Sequence, residues 1–117
     1  MAEKIVHIES CGVKYPLVFN INVMEEIQSE YGSVDKWGEL MDRDEPLMGA
    51  VKFGFAAMIN EGIDIENELN GTNVKPLSLK KVGRILSDIG TDVANEQMMS
   101  VVNDALPNES DGDEKNV

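Results

Sequence analysis

Catalysis in this chain would have to come from few residues: one histidine, one cysteine and 22 acids, among 117 residues. His7 lies in an alternating apolar segment with no cysteine or acid pattern beside it, so local sequence assembles neither a metal site nor a His-activated nucleophile. Cys11 follows four positions later at a Cys-Gly turn. As a nucleophile it would need His7 as its base across that turn, and a lone cysteine makes neither an internal disulfide nor a thiolate metal cage. Asp64-Ile65-Glu66-Asn67-Glu68-Leu69-Asn70 alternates acids as a calcium loop does. However, Leu69 stands where an EF-hand needs glycine, and no bidentate acid follows at the required distance. Gly71 lacks a following Gly-Lys-Ser/Thr, and no G-x-G-x-x-G occurs. Paired carboxylates are expected by chance among 22 acids. These residues specify no catalytic, cofactor-binding or metal site, and the expectation is a protein that is not an enzyme.

The elements that would position side chains begin with a hairpin over residues 4–19. Val6 and Ile8 alternate before Cys11-Gly12, and Val13, Tyr15, Leu17 and Phe19 after it. A two-residue loop sets Ile8 against Tyr15, Val6 against Leu17 and Glu9 against Lys14. A three-residue loop would suit Gly12 as a bulge residue but turns His7 and Glu9 to the apolar face, so the even register is preferred. Pro16 removes a donor, which requires that point of the strand to look outward from the ladder or to be bulged.

Asn20 or Asn22 caps a helix over Val23–Tyr31, which Gly32 ends. Ser33 caps a second helix carrying Val34, Trp37, Leu40 and Met41 on one stripe, ending near Asp42-Arg43-Asp44. Pro46 suits the first turn of the longest helix, about 45–61, with Leu47, Val51, Phe55, Met58 and Ile59 as its apolar face and Met48 and Phe53 widening it. Residues 62–76 read as a short helix or irregular segment followed by the turn-rich Asn70-Gly71-Thr72-Asn73. Ser78 opens a helix with Val82, Ile85, Leu86 and Ile89 in register, closed by Gly90. Thr91 begins the last, with Ala94, Met98, Val101, Val102 and Ala105 on one face, and Pro107 stops it. The resulting expectation is an α+β, mainly α domain over 1–106, a hairpin packed on about five helices, with a disordered acidic tail at 107–117.

A net charge of −12 and a pI near 4.3 favour solubility and repel phosphate backbones and anionic membranes, which argues against nucleic-acid or membrane binding. No stretch approaches the roughly 20 apolar residues of a membrane span, and the N-terminus lacks a signal-peptide run. A reducing cytoplasm is the expected compartment.

The run YPLVFNINVMEEIQSEYGSVDKW (15–37) has a strand ending in Phe, then an acidic helix closing on Tyr31-Gly32, then the Ser33 helix. In this it resembles the tail assembly chaperones of long-tailed phages and of prophages of low-GC Gram-positive bacteria. MINEGIDIEN (58–67) and KPLSLKKVGRILSDIG (75–90) resemble the middle and C-terminal helices of such proteins, so the likeness spans roughly 4–105.

The resemblance implies a chaperone in the host cytoplasm, without cofactor, that binds the tape measure protein, helps recruit tail tube protein, can self-associate as a homo-oligomer and leaves before the virion matures. Apolar residues of the long and C-terminal helices, Phe55, Met58, Met98, Met99 and Val102, are the expected partner-binding set. It also implies a longer frameshifted product. Glu114-Lys115-Asn116 can be encoded GAA-AAA-AAC, which contains the slippery A-AAA-AAC in the phase a minus-one shift requires. The competing reading is an acidic nucleic-acid mimic that inhibits a basic partner, which would align its acids along one surface. An enzyme whose site is assembled by oligomerisation is a third class, with no residue to support it.

Overall fold

Alternation before and after Cys11-Gly12 produces the hairpin. In the computed structural model, which describes residues 5–106, strand β1 (Val6–Ser10) pairs antiparallel with β2 (Val13–Leu17). Ile8 faces Tyr15, Val6 faces Leu17 and Glu9 faces Lys14, the even register. Cys11 and Gly12 have φ of 51° and 79°, the paired positive values of a type I′ turn, whose twist matches that of the strands. Counting from the turn, His7 and Pro16 form a non-hydrogen-bonded pair, so the proline's missing donor costs the ladder nothing. Val13, expected on the apolar face, is exposed at the tip.

Helix α1 (Ile21–Tyr31) starts two residues before the expected Val23. The Asn20 side chain accepts from the Val23 amide at 3.2 Å, which leaves Asn22 inside the first turn. Gly32, at φ 93°, terminates it. Helix α2 (Val34–Met41) is capped by Ser33, whose hydroxyl accepts from the Lys36 amide.

The largest departure from the sequence reading is α3, which runs Met48–Asn70, about 34 Å at 1.5 Å per residue. Pro46 lies outside it, and Leu47 is an N-cap without a side-chain bond. Gly62, where the expected helix stops, lies in its interior because β2 crosses there. A Cβ at Gly62 would stand 2.7 Å from Pro16 Cβ and 3.1 Å from the Pro16 carbonyl oxygen. The close approach also lets the Val18 amide donate to the Met58 carbonyl at 3.3 Å. Beyond Gly62 the apolar stripe continues to Ile63, and Gly71, in the left-handed region at φ 67°, caps the end.

The stretch 71–78 returns along α3 in extended form, held by two asparagines. Asn67 brackets Val74, donating to its carbonyl and accepting from its amide, both at 2.9 Å. Asn60 does the same for Leu77, at 3.1 and 2.7 Å. Seven helical residues rise about 10.5 Å and three extended residues span about 10 Å, so the two brackets are in step.

Helices α4 (Leu79–Ile89) and α5 (Thr91–Ala105) share Gly90, which caps the first and precedes the second. Ala105, expected on the apolar face of α5, is exposed. The architecture is thus α+β and mainly α, a hairpin on five helices. Its core gathers on α3, which touches β2 and every other helix. Among the described residues no helix is long and apolar enough to cross a membrane. The expected tail at 107–117, with Glu114-Lys115-Asn116, lies outside the described residues.

Candidate functional site

The residues weighed for catalysis do not converge. His7 Nε2 meets Glu66 Oε2 at 2.6 Å, a carboxylate 59 residues away on α3 that adjacency in sequence gave no means of pairing with it. Cys11 is exposed at the turn. Ser10, buried at the end of β1, donates to Asp88 Oδ2 at 2.8 Å and ties the hairpin to α4. Among the described residues no three or more His, Cys, Asp or Glu side chains gather as a metal site.

Of the expected partner-binding set, Phe55, Met58 and Met98 are fully buried and Val102 nearly so. This corrects the reading of the first three. Hydrophobic periodicity marks a face that leaves water but does not say whether the chain's own core or a partner covers it. Here the core takes Phe55, Met58 and Met98, while Met99, half-buried, and Val102 border a surface groove.

That groove lies between α2 and α5 and encloses about 850 Å³. Trp37, Met41 and Val102 form its floor, and Val34, Met99 and Leu106, all half-buried, form its walls. Asp35, Glu39 and Asp42 stand exposed along one rim, at the i, i+4, i+7 spacing of a single helix face.

The floor is set by a side chain that α3 grips closely. Trp37 donates from Nε1 to the buried Ala50 carbonyl at 3.0 Å, and its ring lies flush on α3 at Gly54, where a Cβ would be 2.2 Å from Cζ2. Gly38, also lining the groove, has nothing within 4 Å of where its Cβ would be. Asn95 contributes a polar point, since its Oδ1 is buried without a hydrogen-bond partner among the described residues.

A second concavity, of about 620 Å³, opens on the other side of α3 and is lined by Lys52, Lys80, Gly83, Arg84, Ser87 and Asp88. The Lys52 stem packs over Gly83, where an added Cβ would meet Lys52 Cδ at 3.4 Å. In a chain of net charge −12 this cationic hollow stands out.

Glu26 on α1 borders a small cleft against α3. Partial burial holds its pKa above the ordinary glutamate value, with repulsion from Glu61 and then Glu25 adding to the rise. Glu61 itself accepts from the side-chain amides of Asn20 and Asn22, at 2.8 and 3.0 Å. Burial, with the Glu30 charge second, likewise raises Tyr31, whose ring meets Phe53 edge-on at 5.6 Å.

No protein-family model, curated protein or solved structure matches this chain.

Proposed function

We propose that this chain is a phage tail assembly chaperone that holds a helical segment of the tape measure protein in the α2/α5 groove. The observation that carries the reading is the make-up of that groove: apolar floor and walls, with three acids in line on one rim. An amphipathic helix laid there buries its apolar face against the half-buried Val34, Met99 and Leu106 and sets basic residues against Asp35, Glu39 and Asp42. Methionine adapts to varied apolar surfaces, which suits a chaperone gripping successive stretches of a long partner. The surrounding negative charge keeps the complex soluble. The likeness of 15–37, 58–67 and 75–90 to tail assembly chaperones points to the tape measure protein as that partner, with tail tube protein recruited by the longer form.

The work of such a chaperone belongs in the host cytoplasm, before the virion is complete. A nucleic-acid mimic fits less well, because a cationic concavity interrupts the acidic surface. Co-expression with the tape measure protein of the same phage should yield a soluble complex that purifies together. Failure of a soluble tape measure protein to bind would count against the reading. At the nucleic-acid level, the frameshift element of the proposal requires GAA-AAA-AAC at Glu114-Lys115-Asn116 and an open minus-one frame beyond. A GAG or AAG codon there would remove that element alone.

A further inference from the structure

The α3/α4 concavity presents a problem in electrostatics. Lys52, Lys80 and Arg84 converge on one hollow, and among the described residues none of them forms an ion pair. Asp88, the acid at its edge, accepts from Ser10. Three cations lining one concavity repel one another, although surplus acids elsewhere on the chain could have neutralised them singly. The Lys52 stem lies against α4 at Gly83, where an added Cβ would stand 3.4 Å from its Cδ, in ordinary contact.

We infer that this concavity is a docking site for the acidic segment Glu109–Glu114 of the same chain. The segment carries Glu109, Asp111, Asp113 and Glu114 within six residues, matching in sign and density the hollow's three cations. Reach agrees as well. Thr91, the first residue of α5, adjoins the hollow, because it lines a smaller cleft together with Lys52, Gly83 and Ser87. Leu106 follows the other end of α5, about 22 Å away for 15 helical residues. At about 3.3–3.6 Å per extended residue, Asp111 reaches about 17 Å from Leu106 and Glu114 about 28 Å, which brackets the distance. Asp92, Glu96 and Asp104 on α5 and Asp35, Glu39 and Asp42 on the groove rim repel such a segment along its way. Within this reach the hollow is a cationic place for it to settle. The inference concerns a different face from the proposed partner groove and stands or falls apart from it.

The test uses the full chain with Cys11→Ser and Gly112→Cys, a nitroxide on the new thiol, and amide resonances followed by NMR. At an ionic strength of about 0.15 M, where screening extends about 8 Å, Gly83, Arg84 and Ser87 should lose signal intensity. Intensity should return at about 1 M salt. Lys80→Glu with Arg84→Glu should abolish the loss. So should Asp111→Asn, Asp113→Asn and Glu114→Gln together, which leave every described residue untouched. Undiminished signals at these three residues at low salt would overturn the inference, as would a loss at them that persists unchanged at about 1 M salt. It would equally be overturned if the loss appeared only between a nitroxide-bearing chain and a separate isotope-labelled one, which would make the occupant a second copy.

Discussion

The α2/α5 groove and the α3/α4 concavity are both hollows beside α3, yet they draw on different interactions. In the groove, apolar side chains supply the surface and acids are confined to the rim, so an occupant gains mainly by leaving water, a term that salt hardly screens. In the concavity the lining carries charge, and an occupant gains by neutralising it, a term that weakens steeply with salt. The glycines of the two hollows differ in how strictly they are required. Gly54 lets the Trp37 ring lie flush on α3 and so sets the groove floor, whereas a Cβ at Gly83 would meet the Lys52 stem only at an ordinary contact distance. Position within the fold, more than residue type, decides what each glycine does.

The largest effect should come from closing the space at Gly54. Gly54→Ala drives a methyl into the Trp37 ring at 2.2 Å, and the buried indole, bonded to Ala50, has little room to yield. A loss of about 3 kcal/mol, at the upper end for overpacking, is expected in urea denaturation. The neighbouring-floor glycine sharpens the contrast: Gly38→Ala meets open space and should stabilise α2 by about 0.5–1 kcal/mol. Equal effects at the two sites would break the account of the groove floor.

A smaller gain is expected at Asn95, whose Oδ1 is buried at the groove without a partner among the described residues. Asn95→Leu removes that acceptor and should raise stability by about 1 kcal/mol. A fall in the thermal midpoint would mean that the amide is satisfied in solution.

The smallest effect lies in neither hollow. Because the Glu26 pKa is raised on folding, the folded chain binds the proton more tightly than the unfolded one. Its contribution to stability is therefore fully present below the ordinary glutamate value and is lost as pH rises through the raised one. Glu26→Gln should stabilise the chain at neutral pH by no more than about 0.5 kcal/mol, as expected for a screened surface group. Melts should show the advantage vanishing in acid.

Much of this architecture is legible in the residues. The hairpin register follows from alternation about Cys11-Gly12, and Asn20, Ser33 and Ser78 mark helix starts through their side-chain oxygens. The length of α3 is not legible, because Gly62 reads locally as a stop. Its reason for being glycine is Pro16, 46 residues earlier in the chain. Asn60 and Asn67 look like ordinary polar residues until the returning segment 71–78 is seen against them. The groove eluded periodicity for a similar reason, since Phe55, Met58 and Met98 carry the same pattern whether they face core or partner. The spacing of Asp35, Glu39 and Asp42 on one face of a helix whose other face carries Trp37 was the available signal.

The central claim, that the α2/α5 groove receives an apolar helix of the partner, is tested most directly by filling the groove. Titration calorimetry of a helical tape measure segment into the wild-type chain and into Gly38→Leu compares the groove open and blocked. The added side chain enters space with no atom within 4 Å of its Cβ, so the thermal midpoint should hold or rise, as for Gly38→Ala. The account predicts that affinity falls more than tenfold while the midpoint holds or rises. Binding of equal strength by a folded Gly38→Leu chain would contradict it.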